Sequence, residues 1–157
     1  MIPELGHFAL WLAVGVTLVL GVVPLAGAQR GRSDWMAVAR PATNVLLGLV
    51  GLAAACLITS FVRNDFSVLN VASHSNSALP LMYRVAASWG SHEGSLMLWL
   101  LMQAGWAWAV ASFSRAIELS PGVAEFHFNR GNALRALRRL KEAFADYEQA
   151  VSLNPSL

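Results

Sequence analysis

The sequence predicts an all-α protein: three transmembrane helices followed by a short helical hairpin. First, 56% of the residues are hydrophobic and 13% are charged, about half the charged fraction of a typical soluble domain. Second, residues 5–29, 41–62 and 94–114 contain no Lys, Arg, Asp or Glu. Third, the sequence from residue 115 onward is charged and helix-forming. We therefore divide the chain into a membrane domain, residues 1–114, and a tail, residues 115–157.

The three uncharged segments predict membrane spans at about 7–28, 41–62 and 94–114. A helix needs about 20 apolar residues to cross the hydrocarbon core, and a central charge costs about 3 kcal/mol. The first span could instead be a signal peptide, because Ala26-Gly27-Ala28 resembles a cleavage site. However, Glu4 and no basic residue precede it, and its apolar part is long for a signal peptide. We therefore interpret it as a span.

The basic residues predict the orientation, because Lys and Arg accumulate in cytoplasmic connections. The first connection and the end of the third span carry four of them: Arg30, Arg32, Arg40 and Arg115. The longer second connection (residues 63–93) carries Arg63 and Arg84, and the amino-terminal tail carries none. This count favours a periplasmic amino terminus and a cytoplasmic carboxyl terminus.

The tail contains an internal repeat of 34 residues, in which Phe113 aligns with Tyr147, Ala116 with Ala150 and Ile117 with Val151. This period resembles that of the tetratricopeptide repeat. In the complete unit, residues 124–157, five residues occupy signature positions: Gly131, Ala143, Tyr147, Ala150 and Pro155. The pattern predicts helices over about 124–137 and 140–153.

The repeat predicts a helix-packing role for its signature residues and a protein-binding role for the tail. Gly131 and Ala143 lack bulk, so the two helices can approach, while Tyr147 fills the space between them. The resemblance implies a peptide or protein ligand on a concave helical face. Only one complete unit and the second helix of a preceding one are present, whereas stacked repeats usually need three or more units.

Charged side chains on the tail suggest either a binding surface or a solvated face. Four basic residues could attract an acidic partner or anionic lipid: Arg135, Arg138, Arg139 and Lys141. Nearby Glu142, Asp146 and Glu148 favour a solvated helix face. The formal net charge of +2 and the scattered basic residues argue against nucleic acid as a partner.

The segment "WGSHEGSLMLW", residues 89–99, contains the candidate site residues of the membrane domain. Neighbours on a helix point about 100° apart, so His92 and Glu93 cannot share one proton or one metal without help from another segment. Ser91 is predicted to cap the third span, with Glu93 favoured in its first turn. Trp89 is predicted to lie at the membrane interface, and the neutral imidazole of His92 is chemically able to bind iron. The single cysteine, Cys56, is interpreted as a small packing residue.

Residues 1–114 resemble the CcmF family, the haem lyase subunit of bacterial cytochrome c maturation. The segments that carry the resemblance are "MIPELGHFAL", "FVRNDFSV", "SNSALPLMYRVAASWGSHEGSLMLW" and "GWAWAVASFS". The resemblance implies an inner-membrane protein that receives haem on the periplasmic side and helps attach it to apocytochrome c, together with other maturation subunits. His92 and Trp89 are the candidate haem-binding residues in this chain.

The family's tryptophan-rich segment and liganding histidines come later than the part that this chain resembles. The chain carries no phosphate loop and no triad spacing typical of a hydrolase, so independent catalysis is not expected. The tail begins where the family would continue into further spans, which indicates a gene fusion, a rearranged gene or an error of gene assembly. The alternative function is a membrane-anchored interaction module in which the repeat is the working part.

Overall fold

Residues 1–156, which the computed structural model describes, form eight helices and no strand. In chain order they are α1 (Ile2–Gln29), α2 (Ser33–Ala37), α3 (Ala39–Val62), α4 (Leu69–His74), α5 (Leu81–Gly90), α6 (His92–Leu119), α7 (Ala124–Ala136) and α8 (Leu140–Leu153). The all-α fold predicted from composition and periodicity is confirmed.

Three stretches are long and apolar enough to cross a membrane: Ile2–Gln29, Ser33–Val62 (α2 and α3 together) and His92–Leu119. At 1.5 Å per residue, α1 and α6 are each about 42 Å long, whereas the hydrocarbon core is about 30 Å thick. Each predicted span lies inside one of these stretches. The first and third stretches extend beyond the predicted spans at both ends, and the second extends beyond its span only at its amino-terminal end. The chain is a helical membrane protein.

Helix α3 lies in the middle of the three long helices, with α1 packed on one side and α6 on another. The α1–α3 interface is built from small buried residues, among them Ala9, Ala13 and Ala53. Small side chains let helix backbones approach closely in a membrane, where association depends on van der Waals packing. Cys56 is buried, and a Cβ added to Gly6 would lie 3.0 Å from the Cys56 Cβ. The packing role predicted for Cys56 is confirmed.

The second connection and the tail lie at opposite ends of the long helices. At one end, the Arg84 guanidinium donates hydrogen bonds of 2.9 Å each to the carbonyl oxygens of Val62 and Leu79. This contact ties the second connection to the last turn of α3, where carbonyl groups have no helical partner. At the other end, Arg40 at the start of α3 forms an ion pair with Glu118 at the end of α6.

Helix α6 continues without a break past residue 114 to Leu119. Helix α7 packs on the carboxyl-terminal end of α6, and α8 packs on α7. The last turns of α6 therefore continue the helix of the third span and also form the surface on which the tail packs. The division at residues 114 and 115 falls inside this helix, and it stays a prediction.

Candidate functional site

The first candidate site is the corner between α5 and α6. Ser91 is the N-cap of α6, and its Oγ accepts a hydrogen bond of 3.0 Å from the Gly94 amide. A Cβ at Gly94 would lie 1.9 Å from the Ser88 carbonyl oxygen, so only glycine allows this approach. Glu93 lies in the first turn, where the helix dipole favours an acidic residue. The capping interpretation of this segment is confirmed.

His92 and Trp89, the predicted haem-binding residues, lie on either side of this corner. His92 is the first residue of α6 and is exposed, and Trp89 is 43% exposed near the end of α5. Within residues 1–156 no group of three or more His, Cys, Asp and Glu side chains could hold a metal ion. The corner therefore offers one accessible imidazole and one accessible indole, and their role in binding haem stays a prediction.

The other two histidines of the membrane domain lie in different surroundings. His74, which ends α4, has its Nδ1 3.0 Å from the carbonyl oxygen of Asn70 within the same turn. His7 is exposed on the second turn of α1. Because His74 already has a local hydrogen bond, it is the less available of the two for a ligand.

The second candidate site is the hairpin of α7 and α8, whose bounds agree with the predicted helices to within one residue. Gly131 lies directly against Tyr147, since an added Cβ would be 2.7 Å from Tyr147 Cε1. The Tyr147 hydroxyl donates a hydrogen bond of 3.0 Å to Asn132 Oδ1. Ala143 and Ala150 are 2% and 1% exposed. Small residues thus allow close helix contact around one tyrosine ring.

A charged network lies inside the hairpin and reaches the end of α6. Arg130 donates two hydrogen bonds to Asp146, from Nε to Oδ2 at 2.7 Å and from Nη2 to Oδ1 at 2.6 Å. Its Nη1 lies 3.2 Å from Ser114 Oγ, and His127 Nδ1 lies 3.4 Å from Asp146 Oδ1. The hydrogen bonds from Arg130 to Asp146 raise the pKa of the guanidinium. The network joins both helices of the hairpin to the third span.

The four basic residues interpreted as a solvated face are exposed: Arg135, Arg138, Arg139 and Lys141. Asp146, one of the acidic residues that favoured this interpretation, does not belong to that face, because it is 5% exposed. A spacing of 16 residues separates Arg130 from Asp146, and no helical periodicity within one helix relates them. Arg130 and Asp146 lie on the two helices of one repeat unit. Their positions in the repeat could have indicated that the two side chains face each other. By contrast, Arg139 and Glu142 form an exposed ion pair, and the hydrogen bond from Arg139 lowers the pKa of Glu142.

Taken together, the long apolar helices and the hairpin define a helical membrane protein with a tetratricopeptide-type unit at the end of its third span. Residues 124–157 match the family model described as tetratricopeptide repeat. The chain is 52% identical over 117 residues to the cytochrome c-type biogenesis protein CcmF of Pseudomonas aeruginosa, covering 74% of this chain and 18% of the relative. It is 50% identical over 119 residues to CcmF of Escherichia coli, covering 76% and 18%.

A third relative is the cytochrome c-type biogenesis protein ccl1 of Rhodobacter capsulatus, 49% identical over 117 residues, with the same coverage of 74% and 18%. No solved structure matches the chain. About three quarters of the chain is thus similar to a part of CcmF, and residues 124–157 are similar to a tetratricopeptide repeat. The chain spans less than a fifth of the length of these relatives. The two resemblances identified from the sequence are confirmed.

Proposed function

We propose that this chain is a membrane component of cytochrome c maturation that takes part in handling haem. The observation that carries the proposal is the 52% identity over 117 residues to a protein named for cytochrome c-type biogenesis. Three stretches long and apolar enough to cross a membrane support it, because they suit a membrane component. The partners would be the other maturation subunits and apocytochrome c, and the location would be the bacterial inner membrane.

In this proposal the corner of α5 and α6 lies on the periplasmic side, and haem is the cargo. His92 would be the residue that binds the haem iron, since neutral imidazole binds haem iron, and Trp89 would contact the haem. Both side chains are accessible, which suits a transient contact. Two grooves among the described residues lie elsewhere, lined by the tail and by α6.

The test is haem absorbance in membranes that contain the chain. We expect His92→Ala to lower the absorbance that co-purifies with the chain. His7→Ala is the matched control, because His7 is also exposed and lies in a long helix. An equal effect of both substitutions, or haem absorbance that neither changes, would contradict the assignment to His92.

The proposed orientation places the amino terminus in the periplasm and the tail in the cytoplasm. Arg40 and Arg115 lie at the same end of the long helices, where each forms an ion pair with Glu118. Arg84, which counts the other way, is engaged with carbonyl groups at the opposite end. Reporter proteins fused after Leu157 and inserted near Asn70 should report opposite compartments. Finding both reporters in one compartment would refute this arrangement.

A second candidate function is a membrane-anchored interaction module, and one observation favours it. The first residues of the tail belong to α6, which continues unbroken to Leu119. Arg130 of α7 contacts Ser114 of α6, so the hairpin packs directly on the end of the third span. Deletion should start at Ser120, which leaves α6 whole. If the deletion removes a co-purified protein and leaves haem absorbance unchanged, the interaction role is supported over the haem role.

A further inference from the structure

We propose that one end of the hairpin rests on the bilayer that α6 crosses, and that its basic turn binds the head groups of anionic phospholipids there. The basic turn comprises residues 135–142, which join α7 to α8. The proposal needs only that α6 crosses a membrane. It therefore goes beyond the role in cytochrome c maturation and does not depend on it.

Helix α7 runs back along α6 toward the bilayer. Arg130 Nη1 lies 3.2 Å from Ser114 Oγ, and one turn further along α7, Leu134 lines the same groove as Val110. A step forward on α7 thus corresponds to a step back on α6, so the two helices are antiparallel. Because α6 leaves the membrane at its carboxyl-terminal end, α7 returns the chain to the membrane surface.

The basic turn reaches the level of the third span. Arg139 of this turn lines the same groove as Val110. Val110 lies four residues before the predicted end of the span at residue 114, which is about 6 Å along the helix. Interfacial helices bury their apolar face about 5–10 Å into the boundary between head groups and acyl chains. The basic turn therefore lies at the depth of an interfacial segment.

Two exposed tryptophans indicate the membrane surface at nearly the same level of α6. Trp108 and Trp106 precede Val110 by two and four residues, and they are 44% and 40% exposed. Tryptophan is enriched where the hydrocarbon meets the head groups. This observation is independent of the charges of the hairpin, and it places the head groups beside the basic turn.

The positive charge of the hairpin is concentrated at this end. Four of the five basic residues of the hairpin lie in the basic turn, whose net charge is +3. Arg139 forms an ion pair with Glu142. Arg135, Arg138 and Lys141 are exposed and have no side-chain partner within residues 1–156. Their charges are therefore available to an external anion.

An anionic lipid surface fits this arrangement of charged and apolar groups. Leu140 of the basic turn is 58% exposed, and apolar side chains next to Lys and Arg are typical of segments that lie on a membrane. Long basic side chains extend toward phosphate groups while their methylene groups lie among acyl chains. Each Lys or Arg near an anionic surface strengthens the contact about fivefold. The sequence alone favours a solvated face, because only the packing of α7 on α6 brings the basic turn to the membrane.

The first measurement determines which end of α8 contacts lipid. A fluorescent probe is attached to the full chain through Leu140→Cys or, as the matched control, through Leu153→Cys at the other end of α8, where Leu153 is 39% exposed. The chain is reconstituted in phosphatidylcholine vesicles with about one third phosphatidylglycerol. We expect a nitroxide on the acyl chains to quench the probe at position 140 and acrylamide in the water to quench the probe at position 153. Cys56 is buried, and the unsubstituted chain checks that it takes up no probe.

The second measurement tests the anionic head groups. In the Leu140→Cys chain, the combined change Arg135→Gln, Arg138→Gln and Lys141→Gln should reduce the lipid-contacting population at least about tenfold. In vesicles of phosphatidylcholine alone the same change should have little effect. The matched control is Arg135→Lys, Arg138→Lys and Lys141→Arg, which keeps each charge in place and should leave the quenching unchanged.

Three results would overturn the proposal. Equal quenching of the two probes would exclude contact through the basic turn, and equal lipid contact of the glutamine and charge-retaining chains would exclude binding of anionic head groups. Loss of amide protection of α7 in the unsubstituted chain in the same vesicles would exclude the depth argument, which requires the hairpin to stay packed on α6. If the glutamine chain itself loses this protection, Lys141→Gln alone replaces it, with an expected reduction of about fivefold.

Discussion

The buried ion pair of Arg130 with Asp146 is expected to hold the tail together, and Asp146→Asn tests this directly. The substitution keeps the size of the side chain but places an amide where two guanidinium hydrogen bonds arrive at 2.7 and 2.6 Å. Removing one partner of a buried pair costs about 3–5 kcal/mol. The Arg130 side chain is 25% exposed, so water offsets part of this loss. We expect destabilisation of the hairpin by about 2–4 kcal/mol, about 1 kcal/mol below that range.

The same helix offers a matched control in Glu142→Gln. Arg139 donates to Glu142 with nearly the same geometry, at 2.7 and 2.6 Å, but the two side chains are 50% and 56% exposed. Exposed ion pairs contribute about 0–1 kcal/mol, because water screens them and two long side chains must be ordered. We therefore expect Glu142→Gln to cost about 0.5 kcal/mol or less. The two pairs share their hydrogen-bond distances and differ in burial and in the contact between two helices that only the Asp146 pair makes.

The assay is amide hydrogen exchange of α7 and α8 in the full chain, followed by mass spectrometry in detergent micelles. Local opening controls exchange, and a tenfold change in protection corresponds to about 1.4 kcal/mol. Asp146→Asn should thus lower protection by about 30-fold to 700-fold, or to the unprotected rate. Amide exchange in the membrane-spanning part of α6 serves as the internal reference, because neither substitution lies in this part. A similar small loss for both variants would refute the reasoning that burial makes the Asp146 pair important.

Three further predictions concern packing, capping and pH. Gly131→Ala should destabilise the hairpin by about 1 kcal/mol, because overpacking against Tyr147 outweighs the gain in helix propensity; exchange measurements should show no such loss in a Tyr147→Leu background. Ser91→Ala should cost about 1 kcal/mol at the start of α6, seen as faster exchange of its first turn, and unchanged exchange would contradict the cap. Hydrogen bonding from Arg139 lowers the pKa of Glu142 in the folded tail below 4.5. The stability that this ion pair contributes is therefore complete above pH 4.5 and is lost as the pH falls through the pKa of Glu142 in the folded tail. Acid titration of tail unfolding should be shallower in Glu142→Gln, and identical curves would contradict this.

Much of the fold could be predicted because its signals are local in the sequence. The absence of charge over about 20 residues predicts a span without knowledge of neighbours, and a 34-residue period predicts a hairpin. The cap at Ser91 was predictable for the same reason, since a serine before a first-turn glutamate acts within one turn. The site residues of the repeat could be placed because they recur at fixed spacing.

Other features could not be predicted, because they depend on contacts between distant residues. The sequence of Asp146 and its acidic neighbours indicates a solvated face, yet Asp146 lies against Arg130 and His127 of the other helix. The engagement of Arg84 with the end of α3 spans 22 residues. The surfaces of α7 and α8 that face away from α6 are defined only once both helices are placed.

The sequence by itself determined the helical class, the membrane spans, the repeat and the kinship with CcmF, because each is read from composition, spacing or residue identity along the chain. The tertiary structure alone decided that α6 is one helix shared by the third span and the tail, and that a carboxylate of the tail is buried. Helix continuity and burial depend on how neighbouring helices pack, since a charged residue loses its water only when another helix covers it.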